Sequence, residues 1–84
     1  MNRMPSVTSR ELVAFLESQG FSEDRQSGSH LTLVHRTRGT ATVPVHPGAD
    51  LGRGLALRIL RDAGFSVDEF LRLRHPAYCP PTNR

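Results

Sequence analysis

The chain reads as an α+β domain, with helices backing one face of a three-stranded antiparallel sheet in the order helix, sheet, helix, short helix. Three observations predict this class. Thr8 with Glu11, and Ser66 with Glu69, are spaced as capping boxes that open apolar-periodic segments. Between them, Ser29 to Arg36 is rich in Leu, Thr and Val at strand alternation. The stretch from Leu55 to Ala63 repeats apolar residues at helical spacing. At 84 residues the chain is long enough for one domain. Its core is expected over about 7–73, with 74–84 as a loosely held, proline-rich tail.

The first helix follows the Thr8 cap, with Val7 and Leu12 stapling its start and Leu12, Phe15 and Leu16 on one face beside Val13. Gly20 is a left-handed stop, after which Phe21 turns back to the core. Phe21 to Arg25 is short and polar, so it reads as a weak edge strand at best, and Gln26-Ser27-Gly28 supplies turn chemistry. In the strand Ser29 to Arg36, alternation sets Leu31 and Leu33 on one face and His30, Thr32, Val34 and Arg36 on the other. His35 shares the Leu31 face and reads as structural.

Thr37-Arg38-Gly39 is a hairpin connection to a third strand, Thr40 to Val45. Pro44 cannot donate to a ladder, which puts that strand at an edge or makes its end irregular. A loop over His46 to Asp50 feeds a helix from about Gly52 to Ala63. Leu55, Ala56, Ile59, Leu60 and Ala63 share one arc of it, and Arg58 and Arg61 the other. Gly64 ends that helix. Phe65 and Phe70 staple the last one, which runs to Leu73.

Basic residues outnumber acidic ones 11 to 8, and every basic residue other than histidine is an arginine. Arginine carries a permanent charge on a donor fork that matches phosphate. The excess suits a nucleic-acid partner and equally a GC-rich coding sequence. One cysteine, Cys79, excludes an intramolecular disulfide framework. No apolar run approaches a membrane span, and Met1 to Ser9 lacks the apolar stretch of a signal peptide, so a cytoplasmic protein is expected. His75 and Cys79 fall short of the four ligands of a structural zinc site, and neither metal nor cofactor is expected.

The most informative segment is Arg25-Gln26-Ser27-Gly28-Ser29-His30. It sets a histidine, the side chain suited to proton transfer near neutral pH, directly after a glycine turn at the mouth of a strand. If Leu31 and Leu33 pack on helices, His30 lies on the open face of the sheet, provided no bulge interrupts the register. Gly28 is either a turn glycine or one that lets a substrate backbone approach closely. His46, between Pro44 and Pro47, is either an auxiliary acid/base or substrate contact, or a hydrogen-bonded loop residue.

Three segments in this order resemble the HicA family of bacterial messenger-RNA-cleaving toxins. They are Leu16-Glu17-Ser18-Gln19-Gly20-Phe21, the Gly28-Ser29-His30 segment with its preceding residues, and Val43-Pro44-Val45-His46 followed by the run Ile59 to Ser66. The resemblance spans about Ser9 to Leu73. It implies a double-stranded-RNA-binding-domain-like fold, an endoribonuclease whose catalytic histidine corresponds to His30, and a HicB-type antitoxin that blocks that histidine. On that reading His30 is the general base or acid acting on a ribose 2′-OH. Gly28, Ser29, Arg25, Arg36, Arg38, Arg53 and Arg58 are candidate RNA contacts. Arg53 is favoured because it opens a helix, whose N-terminus attracts anions.

Two other classes fit the same residues. A non-catalytic module recognising RNA by shape and phosphate contacts would bind without cutting, and losing His30 would leave it intact. A protein-interaction domain with a basic face would bind no RNA in a salt-sensitive way.

Overall fold

The computed structural model describes residues 4–45 and 50–74, and the fold over them is the α+β order expected. Its elements are α1 (Ser9–Ser18), β1 (Ser22–Ser27), β2 (His30–His35), β3 (Gly39–Pro44), α2 (Arg53–Asp62) and α3 (Val67–Leu73). The strands form one antiparallel sheet in the order β1-β2-β3, with β2 in the centre.

Both capping boxes form. The Thr8 hydroxyl accepts from the Glu11 N–H at 3.1 Å, while Glu11 Oε1 accepts from the Thr8 N–H at 2.9 Å. Ser66 and Glu69 repeat the exchange at 3.1 and 2.9 Å. Two orphan donors are thereby satisfied at each helix start. α1 and α2 end alike. The N–H of Phe21 donates to Leu16 O and that of Gly20 to Glu17 O; Phe65 donates to Leu60 O and Gly64 to Arg61 O. In each Schellman closure the phenylalanine that follows the glycine is driven into the core, which aims the chain at its next element.

The core lies between the helices and one face of the sheet. Leu31, Leu33, Ala41 and Val43 supply the sheet side, and Leu12, Phe15, Leu16, Ala56, Ile59, Leu60 and Phe70 the helix side, all buried. Phe15 is the hub: it meets the Phe70 ring edge-on at 4.8 Å and the Phe65 ring at 5.2 Å. Such edge-to-face pairs add to the stabilisation from burial.

Four expectations are corrected. β1 is a full six-residue strand, Ser22–Ser27, exposed at every position. Its hydrogen bonds to β2 hold it in place, and a polar edge strand carries no apolar period by which to recognise it. The turn before β2 is Gly28-Ser29, since Ser27 pairs with His30. Arg36 belongs to the connection between β2 and β3 instead of to β2. Leu55 is 41% exposed. At about 100° per residue it falls roughly 90° from the centre of the arc formed by Ala56, Ile59, Leu60 and Ala63. Pro44 is the last residue of edge strand β3, where its missing N–H costs nothing.

Candidate functional site

The register divides the sheet into two faces. Residues directly opposite across antiparallel strands share a face, so Gln26, Leu31 and Val43 form one rung on the helix side. The next rung toward the first hairpin, Ser27, His30 and Pro44, points the other way. On the other side of the Gln26 rung, and on that same open face, stand Arg25, Thr32 and Thr42. His30 is exposed, as alternation requires once Leu31 is buried. Neither ring nitrogen has a hydrogen-bond partner among the described residues.

The turn before His30 is tight because Gly28 stands at φ +60. A first turn residue in the left-handed region matches the twist of the flanking strands, and glycine takes it without strain. A β-carbon built there would touch nothing, so backbone conformation and not space selects glycine. Ser29 O accepts from the Val45 N–H at 2.6 Å, tying the turn to the residue that leaves β3. His30 therefore rises from a braced corner, flanked by β1 and β3.

The predicted basic contacts separate in space. Arg25 is exposed on β1, with no hydrogen bond or ion pair among the described residues. Arg36 lies in the connection at the far end of β2 from His30. Arg53 and Arg58 are exposed on α2, which packs on the helix side of the sheet. The N-cap of α2, Gly52, makes no side-chain cap and the first turn holds no acid.

Arg38, expected among the RNA contacts, serves the fold. Its Nη1 donates to the carbonyls of Ala63 and Gly64, each at 3.0 Å, and its guanidinium lies 4.2 Å from the Phe65 ring centroid. A cation on the last carbonyls of a helix answers the unsatisfied acceptors and the dipole there. His35 is likewise structural. Its Nδ1 accepts from the N–H groups of Thr37 and Arg38 at 3.0 and 3.1 Å, which puts the ring proton on Nε2, and its ring packs on Phe21 at 4.9 Å.

His46 lies outside the described residues, as do His75, Cys79 and the rest of the tail beyond Arg74. Among the described residues no three His, Cys, Asp or Glu side chains are grouped to hold a metal ion. No helix among them is long and apolar enough to cross a membrane.

Sequence reasoning missed two features. One is a β-bulge between Glu23 and Arg25, which leaves Asp24 unpaired and resets the alternation of β1. The other is a cleft of about 650 Å³ beneath β1 on the helix side, walled by Arg10, Val13 and Glu17 of α1 and by Glu23 and Gln26. It opens on the opposite face from His30, so it is not where that imidazole can act. A charge-rich edge strand gave no periodicity from which either could be read.

A family profile described as HicA toxin of bacterial toxin-antitoxin matches residues 9–65, from the start of α1 to the phenylalanine that follows α2. No curated protein matches the chain.

Proposed function

The chain belongs to the HicA toxin family, the toxin half of bacterial toxin-antitoxin pairs, and from that premise we propose an endoribonuclease that cuts messenger RNA through His30. The observation that carries this reading is the position of His30. It is exposed on the open sheet face at a braced turn, with neither ring nitrogen bonded by a described residue.

RNA brings its own nucleophile. An imidazole takes the proton from a ribose 2′-OH; the 2′-oxygen bonds to the adjacent phosphorus as the bond from phosphorus to the 5′-oxygen breaks. The leaving oxygen receives a proton from the imidazolium or from water. The products are a 2′,3′-cyclic phosphate and a 5′-hydroxyl, and the balance calls for no metal or other reactant. Gly28 and Ser29 flank the reacting phosphate, and Arg25, Arg36, Arg53 and Arg58 neutralise backbone charge along the strand. His46 remains the candidate auxiliary acid.

A toxin of this class has an antitoxin partner. We assign it as a HicB-type protein whose acidic surface meets the net charge of +3 and covers His30.

The test is a set of matched oligonucleotides offered to the purified full-length protein in EDTA. All-RNA strands should be cut, and strands with a single 2′-deoxy nucleotide spared at that step. Cutting at the deoxy position, or of DNA, would contradict 2′-OH chemistry. Salt-sensitive binding with no cutting would favour the non-catalytic RNA-binding reading.

A further inference from the structure

A histidine that cuts a phosphodiester benefits from a cation held where charge grows in the transition state. The register of β1 identifies one. Glu23 and Gln26 both line the cleft beneath the sheet, although three positions apart in a strand. Regular alternation sends residues of opposite parity to opposite faces. The bulge resolves this: Glu23 opposes Leu33, Asp24 is unpaired, and Arg25 opposes Thr32. Without the extra residue in the bulge, an unbroken β1 in register at Glu23 would turn Arg25 to the helix side.

As a result Arg25 shares the open face with His30, two rungs away and on the neighbouring strand. Diagonal neighbours of this kind stand about 7–8 Å apart at their β-carbons, a gap that long side chains span. Thr32 and Thr42 complete Arg25's rung, and neither hydroxyl has a hydrogen-bond partner among the described residues. No other described strand residue is an arginine.

We infer that Arg25, turned to the open face by the bulge at Asp24, grips the same phosphodiester at which His30 transfers the proton, with the Thr32 and Thr42 hydroxyls beside it. This assignment rests on the ribonuclease reading above, and makes Arg25 a catalytic residue of it. The substrate class is a single RNA strand laid diagonally across the sheet, its scissile phosphate between β1 and β2. Asp24, exposed in the bulge, makes no ion pair with Arg25 and leaves the guanidinium free for that phosphate.

The experiment is steady-state cleavage of a short fluorogenic RNA by the full chain carrying Arg25→Gln, Arg25→Lys, Thr32→Val with Thr42→Val, or Arg72→Gln. The last removes the same charge from the exposed face of α3. Melting by circular dichroism checks that each is folded. Arg25→Gln should lower kcat about 100-fold with KM nearly unchanged, the size of effect seen when one transition-state donor is removed. Arg25→Lys should recover roughly a tenth of the lost rate or more, since it restores charge without the fork. The paired threonine variant should raise KM about fivefold or more, as two neutral hydrogen bonds to a ground-state strand would.

If Arg25→Gln cuts as well as Arg72→Gln, or loses only KM, Arg25 is not on the scissile phosphate and the assignment falls while the nuclease stands. A wild-type protein that leaves every RNA intact removes the nuclease reading itself, and this assignment with it.

Discussion

The Arg38 guanidinium carbon sits over the Phe65 ring, 4.2 Å from its centroid, while Nη1 donates to both Ala63 O and Gly64 O. This one side chain ties the β2–β3 hairpin to the end of α2, bridging 25 residues of sequence. Arg38→Ala should therefore cost about 1–2 kcal/mol, from a charged hydrogen-bond pair and a partly exposed cation–π contact. In a domain of this size that lowers Tm by roughly 5–12 °C. RNA cleavage per folded molecule should be unchanged, which thermal melts and assays well below Tm would check.

Gly64 stands at φ +90, and a β-carbon there would sit 2.6 Å from Arg38 Nη1. Gly64→Ala thus carries a backbone cost of about 1–2 kcal/mol and a second cost from displacing Arg38. The second cost should vanish in an Arg38→Ala background. A double-mutant cycle by urea denaturation is expected to give a coupling of about 0.5–1.5 kcal/mol, and simple additivity would mean that Arg38 moves aside freely.

Phe15 touches both Phe65 and Phe70 edge-on, so one position joins α1 to the chain on either side of α3's cap. Phe15→Ala should lose about 3–5 kcal/mol. A chain of this length holds on the order of 4–13 kcal/mol in total. Phe15→Leu keeps much of the volume and should cost about half as much. Equilibrium urea titration distinguishes them by midpoint, with the first close to unfolded in water.

Gly28 separates turn geometry from substrate approach. Its φ of +60 is one that asparagine also adopts, and no atom crowds the missing side chain. Gly28→Asn should keep stability within about 0.5 kcal/mol, whereas Gly28→Val should lose about 1–2 kcal/mol. If Gly28→Asn is as stable as expected but raises KM severalfold, the absence of a side chain matters to the RNA as well as to the turn.

Both helix starts, both Schellman ends and the alternation of Leu31 with Leu33 are legible in the sequence because each is a local code with a local physical cause. Thr8 and Glu11, or Gly64 and Phe65, need only their near neighbours to do their work. The placement of His30 follows from the same alternation. What escaped the sequence depends on partners far along the chain. Arg38 looks like any surface arginine until Ala63 and Phe65 are folded against it. The bulge at Asp24 exists because β2 is read on both sides of it in fixed register, and nothing within Ser22–Ser27 announces a change of face. By sequence Arg25 is one basic candidate among several, and only the pairing of β1 with Thr32 sets it on the face that His30 occupies.

The central claim is that His30 is the group that cuts RNA. The most direct measurement is cleavage of a long single-stranded RNA by the purified protein in EDTA, beside His30→Ala matched for folding and for RNA affinity at one salt concentration. Cleavage by the wild type, with no product above background from His30→Ala, is the predicted result. Equal cutting by both proteins would remove His30 from the mechanism and contradict the account.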